Sequence, residues 1–412
     1  MTVMTFEPPA WEASTVPKRP VPAEEVPTIR LAVGSDIAEL EEEWLDFQRR
    51  ASGTLYQTYQ WCRAWQETAG PTRNVEPRIV TGREASGRLL FILPFGLRRV
   101  RGFNILEWHA GRQCGYGYGL YDRAFLHHAE AWFASQGGQI FSLLRPVDAI
   151  DLADMPAEWN GFPHPLRSWF SLIGPNVSYL TGLSGDYQAF YRAKRSSQTR
   201  RGHRKRDSKL AREGKVAFGL PATRSETHAR LDEMFTQQAA RLAESGIRDV
   251  FGAPARAFIH RLVDLPDHMQ PILLPYQLTI EGRMEAMMLG GHYGNGYWAL
   301  ISSLAASPSR RHSPGDAALR RTIEACCVRG LSFFDFSSGN SAYKLHWSDH
   351  EVRLHHTIRA ITPKGYAWAL GRIAGVSAKR LVKHSPLLWA FVLWARCRVA
   401  QIRRQPPSRS AG

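Results

Sequence analysis

The chain has 412 residues, 44% of them hydrophobic, which is enough for two domains of ordinary size with real cores. Its five cysteines (Cys62, Cys114, Cys326, Cys327 and Cys397) show neither CxxC pairing nor zinc spacing, so a disulfide scaffold and a metal site are both unexpected, and reduced thiols in a cytoplasmic protein fit. The formal charge of +16 is concentrated in two places: residues 192–215 hold 11 Lys and Arg against Asp207 and Glu213, and Val352–Gly412 holds 12 with no acid.

Residues 1–27 carry six prolines and no apolar periodicity, which reads as a disordered lead-in. They contain no apolar leader segment, and nowhere does an apolar run approach the roughly 20 residues of a membrane span. Ser35 opens a helix to residue 50, with Ile37, Leu40, Trp44, Leu45 and Phe47 on one face. A second helix is expected from Gln57 to Thr68. Its Trp61 is either core or a wall of an acceptor pocket. Two strands follow, at Arg78–Val80 and Arg88–Leu93, with Pro94 closing the second.

From Cys114 to Gly119 glycine alternates with tyrosine. This reads as a bent loop exposing Tyr116, Tyr118 and Tyr121, which suit stacking on a sugar or another flat acceptor, or as a glycine-permissive turn. A helix at Arg123–Gln136 and a strand at Gln139–Leu144 complete the first half. Residues 146–180, punctuated by Pro and Gly, read as a connection. Asp186–Gly214 reads as one long basic helix that includes Arg201. It is either a solvated face or an attractor for a phosphorylated or polyanionic ligand.

The second half is more regular. A strand at Val216–Leu220 leads to helices at Ser225–Ser245 and Ala253–Leu265. A hairpin, Pro271–Ile280 with Met284–Gly291, turns at Glu281-Gly282. A strand at Tyr297–Leu304, a basic loop Ser309-Arg310-Arg311-His312, a helix from Ser313 to Val328 and a strand at Leu331–Phe336 make a βαβ unit. Ser313 suits the N-cap, Pro314 the first turn and Asp316 a capping box, with Gly330 at the far end. A helix start beside Arg310 and Arg311, with the small Gly315 in its first turn, is a candidate phosphate site. An ordinary capped helix with a solvated loop is the competing reading.

Arg310-x-x-Ser313-x-Gly315 resembles the pyrophosphate loop of the GNAT acyltransferases, with Ser313 in place of the first glycine. The longer set Arg311-His312-Ser313-Pro314-Gly315, Phe334-Asp335-Phe336 and Tyr343-Lys344-x-x-Trp347 resembles the bacterial cellulose-biosynthesis (CelD/BcsL-type) acetyltransferases. The Fem-type aminoacyl transferases are more distant relatives. The resemblance spans residues 31–360. It implies an α/β (α+β) protein of two tandem GNAT-like domains, each a mixed central sheet flanked by helices. The expected boundaries are a degenerate copy at 28–180, an acyl-CoA-binding copy at 181–360 and a basic helical tail at 361–412.

The resemblance also implies roles. Acetyl-CoA, or another acyl-CoA, would lie on Arg310, Arg311, His312, Ser313, Pro314 and Gly315, with its carbonyl polarised by backbone near Ile301, Ser302 and Ser303. Tyr343 would protonate the departing thiolate and Lys344 would stabilise charge. Asp335, at the end of a buried strand, is a candidate general base or a buried loop anchor, with His292 and His312 as substitutes. Trp61, Tyr116, Tyr118, Arg201 and His292 are candidates for substrate contacts. The acceptor implied is a sugar, exopolysaccharide or cell-envelope intermediate. The alternatives are an aminoacyl-tRNA-dependent transferase and a non-catalytic accessory protein of polysaccharide synthesis. Near the end, Pro386–Ala395 is apolar and Arg396, Arg398, Arg403 and Arg404 follow. This suits a peripheral contact with an anionic inner membrane face, or a helix packed back on the body.

Overall fold

The computed structural model describes residues 28–244, 249, 251–339, 341–385 and 387–388. The lead-in and the apolar segment with its arginines at 389–404 therefore lie outside the described residues. The first half comprises β1 (Arg30–Gly34), α1 (Glu41–Arg50), α2 (Tyr59–Thr72), β2 (Val75–Arg83), β3 (Leu89–Val100), β4 (Phe103–Trp108), β5 (Leu120–Tyr121), α3 (Leu126–Gln136), α4 (Gly138–Leu143) and β6 (Ala149–Pro156). A small hairpin of β7 (Glu158–Trp159) and β8 (Phe162–Pro163) leads to β9 (Leu172–Gly182). The second half holds α5 (Tyr187–Lys194), α6 (Ser197–Arg212), β10 (Val216–Gly219), α7 (Arg224–Glu244), α8 (Ala253–Val263), β11 (Leu273–Ile280), β12 (Arg283–Tyr293), β13 (Gly296–Leu304), α9 (Pro314–Val328), β14 (Phe333–Ser338) and α10 (Ala342–Trp347). The chain then adds β15 (His350–Ala360) and α11 (Pro363–His384).

Apart from β7 and β8, these strands form one mixed sheet in the order β1-β2-β3-β4-β6-β15-β9-β14-β13-β12-β11-β10, with β5 beside β3. Each half is an antiparallel meander that ends in a parallel pair, β4 with β6 and β13 with β14. The next strand on each side comes from elsewhere in the chain. β15 lies against β6, and β9 lies against β14. The two halves thus exchange their closing strands, and β9 pairs with β15 at the seam. Helices α1, α2, α7 and α8 share one core cluster, to which Trp44, Trp65, Phe235, Phe258 and Trp298 belong. A second cluster, with Tyr297, Ile323, Phe334 and Trp347, lies under α9.

Most of the second half follows its local signals, the basic helix excepted, and the first half departs from them in several places. Gln139–Leu144, expected as a strand, lies in α4. A run this short does not reveal its period, and only Ile140 of the helix is buried. The supposed connection at 146–180 contains β6 and most of β9, both within the sheet. Pro94 does not end β3. It falls where that strand changes partner from β5 to β4, and its carbonyl accepts from His109 N–H at 2.9 Å. The long basic helix is two helices. Arg195 is extended between them, and Ser196 caps α6 by accepting the Thr199 N–H. Arg195 places its guanidinium 3.7 Å from the Trp347 ring centre.

Candidate active site

The parallel pairing of β13 with β14 lasts three residues, from Gly296 with Phe333 to Trp298 with Asp335, and then the strands part. A bulge in β13 coincides with the parting. Ala299 pairs with Gly290 and Ile301 with Leu289, leaving Leu300 unmatched. The opening is a cavity of about 330 Å³ lined by Leu300, Ile301, Ser302, Ser337, Tyr343 and Lys344, among others. It adjoins a second cavity of about 580 Å³ that reaches into the first half, where Tyr56 and Trp61 form aromatic walls opposite Phe258 of α8 and Arg73 and Arg112 supply charge. Leu300, Ile301, Ser337 and Ser338 line both. Arg73 also feels the charge of Glu107, which shares a neighbouring cavity with both arginines.

Beneath the opening sits Asp335, fully buried. One carboxylate oxygen accepts the Tyr116 hydroxyl at 2.5 Å and the other accepts the Ser337 N–H at 2.6 Å. The second bond is an Asx-type turn. It holds Ser337 at a φ of 61°, in the left-handed region that a residue with a side chain rarely adopts. Lys344 fixes the same loop from the other side, donating to the carbonyls of Ser337 at 3.0 Å and Ser338 at 2.8 Å. Burial pushes the Asp335 carboxyl up to about 6, against the opposing pull of Tyr116, the Ser337 amide and Lys344. Burial also brings the Lys344 ammonium down to about 8, opposed by the Asp335 charge. The Tyr343 hydroxyl is raised by burial, so it stays protonated at neutral pH.

The Arg310 loop is a 3-10 turn, Pro308–His312. Ser313 is the N-cap residue of α9 but not as expected: its φ is 58°, and its hydroxyl caps nothing. The extended backbone that aims an N-cap oxygen at the first-turn amides is missing. Asp316 likewise does not close a capping box; its carboxylate pairs with Arg320 at 3.1 Å and His203 at 3.5 Å. A methyl group on Gly315 would meet only Leu304, at an ordinary 3.5 Å, so protein packing does not demand a glycine there and space is left for a ligand. Arg310 lies 3.4 Å from Glu244, while Arg311 and His312 approach Glu213 at 3.4 and 3.2 Å. An exposed pair such as Arg310–Glu244 contributes about 0–1 kcal/mol, so a polyphosphate would compete well for that arginine.

The structure brings Ile301, Ser302, Tyr343, Lys344 and Trp61 onto the connected cavities. The Ser303 hydroxyl turns away to Gln237 at 2.8 Å, on α7. Tyr116, Tyr118 and Tyr121, expected to be exposed, are all buried. The glycines between them explain why: a Cβ on Gly115 would lie 2.5 Å from Tyr56, and one on Gly117 would lie 2.1 Å from Trp108, so the loop is packed tightly inward. Tyr118 sits edge-on to His164 at 4.8 Å, and Tyr116 reaches Asp335 instead of solvent. His292 pairs with Tyr297 at the closed end of the strands, outside both cavities, and exposed Arg201 on α6 lines neither. Tyr56, Arg73, Arg112, Phe251 and Phe258 join the site without having been singled out as site residues. Tyr56 opens the aromatic tract that ends at Trp61, but no local pattern marks the other four, because the cleft is made only when the two halves meet.

Residues 197–345 match the family profile described as an acetyltransferase (GNAT) domain. No curated protein gives a match to the chain. Among solved structures, FemX superposes with a TM-score of 0.57 at 10% identity, covering 79% of this chain and 97% of that one. The C-terminal domain of a putative lysylphosphatidylglycerol synthetase from Agrobacterium fabrum gives a TM-score of 0.48 at 12% identity, covering 81% and 95%. A tandem GNAT protein from the clavulanic acid biosynthesis pathway gives 0.44 at 9% identity, covering 82% and 99%. At 10% identity the likeness to FemX shows the fold. With the matched domain spanning the parted strands, the Arg310 loop and Tyr343-Lys344, the chain is an acyltransferase that carries a GNAT-type acetyltransferase domain.

Proposed function

We propose that this protein transfers an acyl group, most simply acetyl, from acyl-CoA to a hydroxyl or amine of a sugar, exopolysaccharide or cell-envelope intermediate. The observation that carries this reading is the connection of the two cavities at the β13 bulge. A donor entering between β13 and β14 and an acceptor lying between the halves would meet at Leu300 and Ile301. Acyl-CoA would supply an activated thioester. Arg310, Arg311 and the first turn of α9 would hold its phosphates, with room at Gly315. Backbone N–H groups from Leu300 to Ser302 would polarise the acyl carbonyl. Tyr343 lines the donor cavity, and its protonated hydroxyl would be placed to deliver a proton to the leaving sulfur.

Asp335 does not line either cavity, since Tyr116 and Ser337 occupy its oxygens. We assign it a positioning role: it fixes the left-handed Ser337 at the junction and draws Tyr116 under the cleft. Lys344 shares that task. The aromatic walls at Tyr56 and Trp61 suit a sugar ring, and Arg73 and Arg112 suit an acceptor that carries phosphate or carboxylate. This favours a phosphorylated or carboxylated intermediate.

One observation favours the aminoacyl-tRNA reading. A separate pocket of about 490 Å³ is lined by Arg192, Arg200, Arg204 and Arg321 against Glu324, with Arg320 paired to Asp207, an excess of cations suited to a polyanion. Calorimetry separates the two. Micromolar acetyl-CoA binding that is lost in Arg310→Ala with Gly315→Glu supports the acetyltransferase. No binding of any acyl-CoA by the wild type would overturn it and move the weight to a charged tRNA donor or to an accessory role.

A further inference from the structure

The last described helix, α11, lies across β15, β9 and β6 by its inner side, where Gly365, Ala369 and Val376 are buried. Its inward cations are satisfied by the body. Arg372 pairs with Asp151 at 2.5 Å, Lys364 with Asp148 at 2.9 Å, and Lys383 donates to Asn176 at 2.7 Å. The outer side is different. Tyr366 (64% exposed), Leu370 (67%), Ile373 (37%) and Leu381 (64%) fall on one sector, flanked by exposed Ala374 and Ala378; the polar groups within it are Ser377 and His384, and Arg380 borders it. A helix face on a soluble protein that faces only water is normally polar, so this one is built to be covered.

We propose that the outer face of α11 rests on an anionic lipid surface, with Leu370, Ile373 and Leu381 in the apolar boundary and Arg380 at its rim. Charge selects this occupant. From Val352 to the end of the chain there is no Asp or Glu, so a second copy of α11, or the arginine-bearing segment after residue 395 folded back, would bring like charge onto like. An anionic bilayer supplies the missing sign. Past the end of the helix, Leu387 and Leu388 are exposed as well. Among the described residues no helix is long and apolar enough to cross a membrane, so the geometry is that of a helix lying on the surface.

Vesicle flotation of the full chain tests this. The protein is expected to float with vesicles containing phosphatidylglycerol, not with pure phosphatidylcholine, and less so at high salt. Leu370→Glu with Leu381→Glu, and separately Ala374→Glu with Ala378→Glu, should each cut the bound fraction by at least about tenfold. Because all four positions are exposed, the urea midpoint should not move, which keeps lost binding apart from lost folding. Three results would overturn the proposal: no flotation of the wild type; flotation of both double variants as complete as that of the wild type, which would place the contact in residues 389–412; or a wild-type dimer in sedimentation that either double variant dissolves.

Discussion

Replacing Asp335 with asparagine turns the buried carboxylate into a measurable change in pH dependence. Burial raises this group from 3.8 to about 6, so the fold prefers the protonated form. Its contribution is therefore fully present below the unfolded value and is lost as the pH rises through the folded one. The whole shift corresponds to about 3 kcal/mol, of which about 1.4 kcal/mol falls between roughly pH 5 and pH 7.5. That window stays below the titration of Lys344, near 8. Asparagine cannot titrate, and with one acceptor oxygen it satisfies only one of the two donors, Tyr116 and the Ser337 amide, so a constant offset of about 1–3 kcal/mol is expected on top. Urea unfolding of wild type and Asp335→Asn at the two pH values reads this group together with the Lys344 ammonium, which loses the supporting Asp335 charge in the variant and moves further down, so that both changes lower the wild type relative to the variant as the pH rises. The stability of wild type relative to the variant should fall by at least about 1.4 kcal/mol from the lower pH to the higher. A difference that stays constant across the window would mean that the carboxylate is solvated or already neutral, and would refute its placement beneath the cleft.

Two further perturbations address packing and chemistry. Gly117→Ala places a Cβ 2.1 Å from Trp108 Nε1 and 2.5 Å from the Ala153 carbonyl. Because the second is backbone, the loop has to move, and a loss of about 3 kcal/mol in a urea titration is expected. Tyr343→Phe keeps the ring and removes the proton donor. Once an acceptor is in hand, kcat should drop on the order of 10²-fold or more with acetyl-CoA affinity unchanged, and a matching loss of affinity would make Tyr343 a binding group.

The second half was legible because its signals are local. Glu281-Gly282 closes a tight hairpin, Pro314 starts α9, and Gly330, at a φ of 71°, follows its end. The strand β15 left no such mark. Its sequence HEVRLHHTIRA interleaves histidines and charges with apolar residues, and what makes it a strand is its two neighbours, β6 and β9, both distant in the chain. The cleft was legible in part for the same reason. Trp61, Ile301, Ser302, Tyr343 and Lys344 stand within motifs. The bond from Tyr116 to Asp335 joins residues 219 apart, and a run of glycines and tyrosines says nothing of where its hydroxyls will end. Inward packing was still encoded there, since a loop that spares every second side chain suits a close approach of backbone to ring.

The exchange of closing strands bears on how the two halves came to share one site. A division at residue 180 cuts through β9, so a fragment of 181–360 would leave one edge of β14 unpaired, and a fragment of 28–180 would lack β15 beside β6. Each fragment would expose a long apolar sheet edge, the feature that drives association of isolated strands. The Asp335 carboxylate in one fragment would also lose the Tyr116 hydroxyl supplied by the other. Expressed singly, both fragments should be insoluble or lack a cooperative transition. Expressed together, with the break moved to the loop after Gly182, residues 28–182 and 183–388 should assemble and recover acetyl-CoA binding. A soluble, cooperatively unfolding 181–360 fragment would show that β9 is dispensable to the acyltransferase half. The cleft would then be a contact between two complete domains, and the reciprocal strands would have no part in forming it.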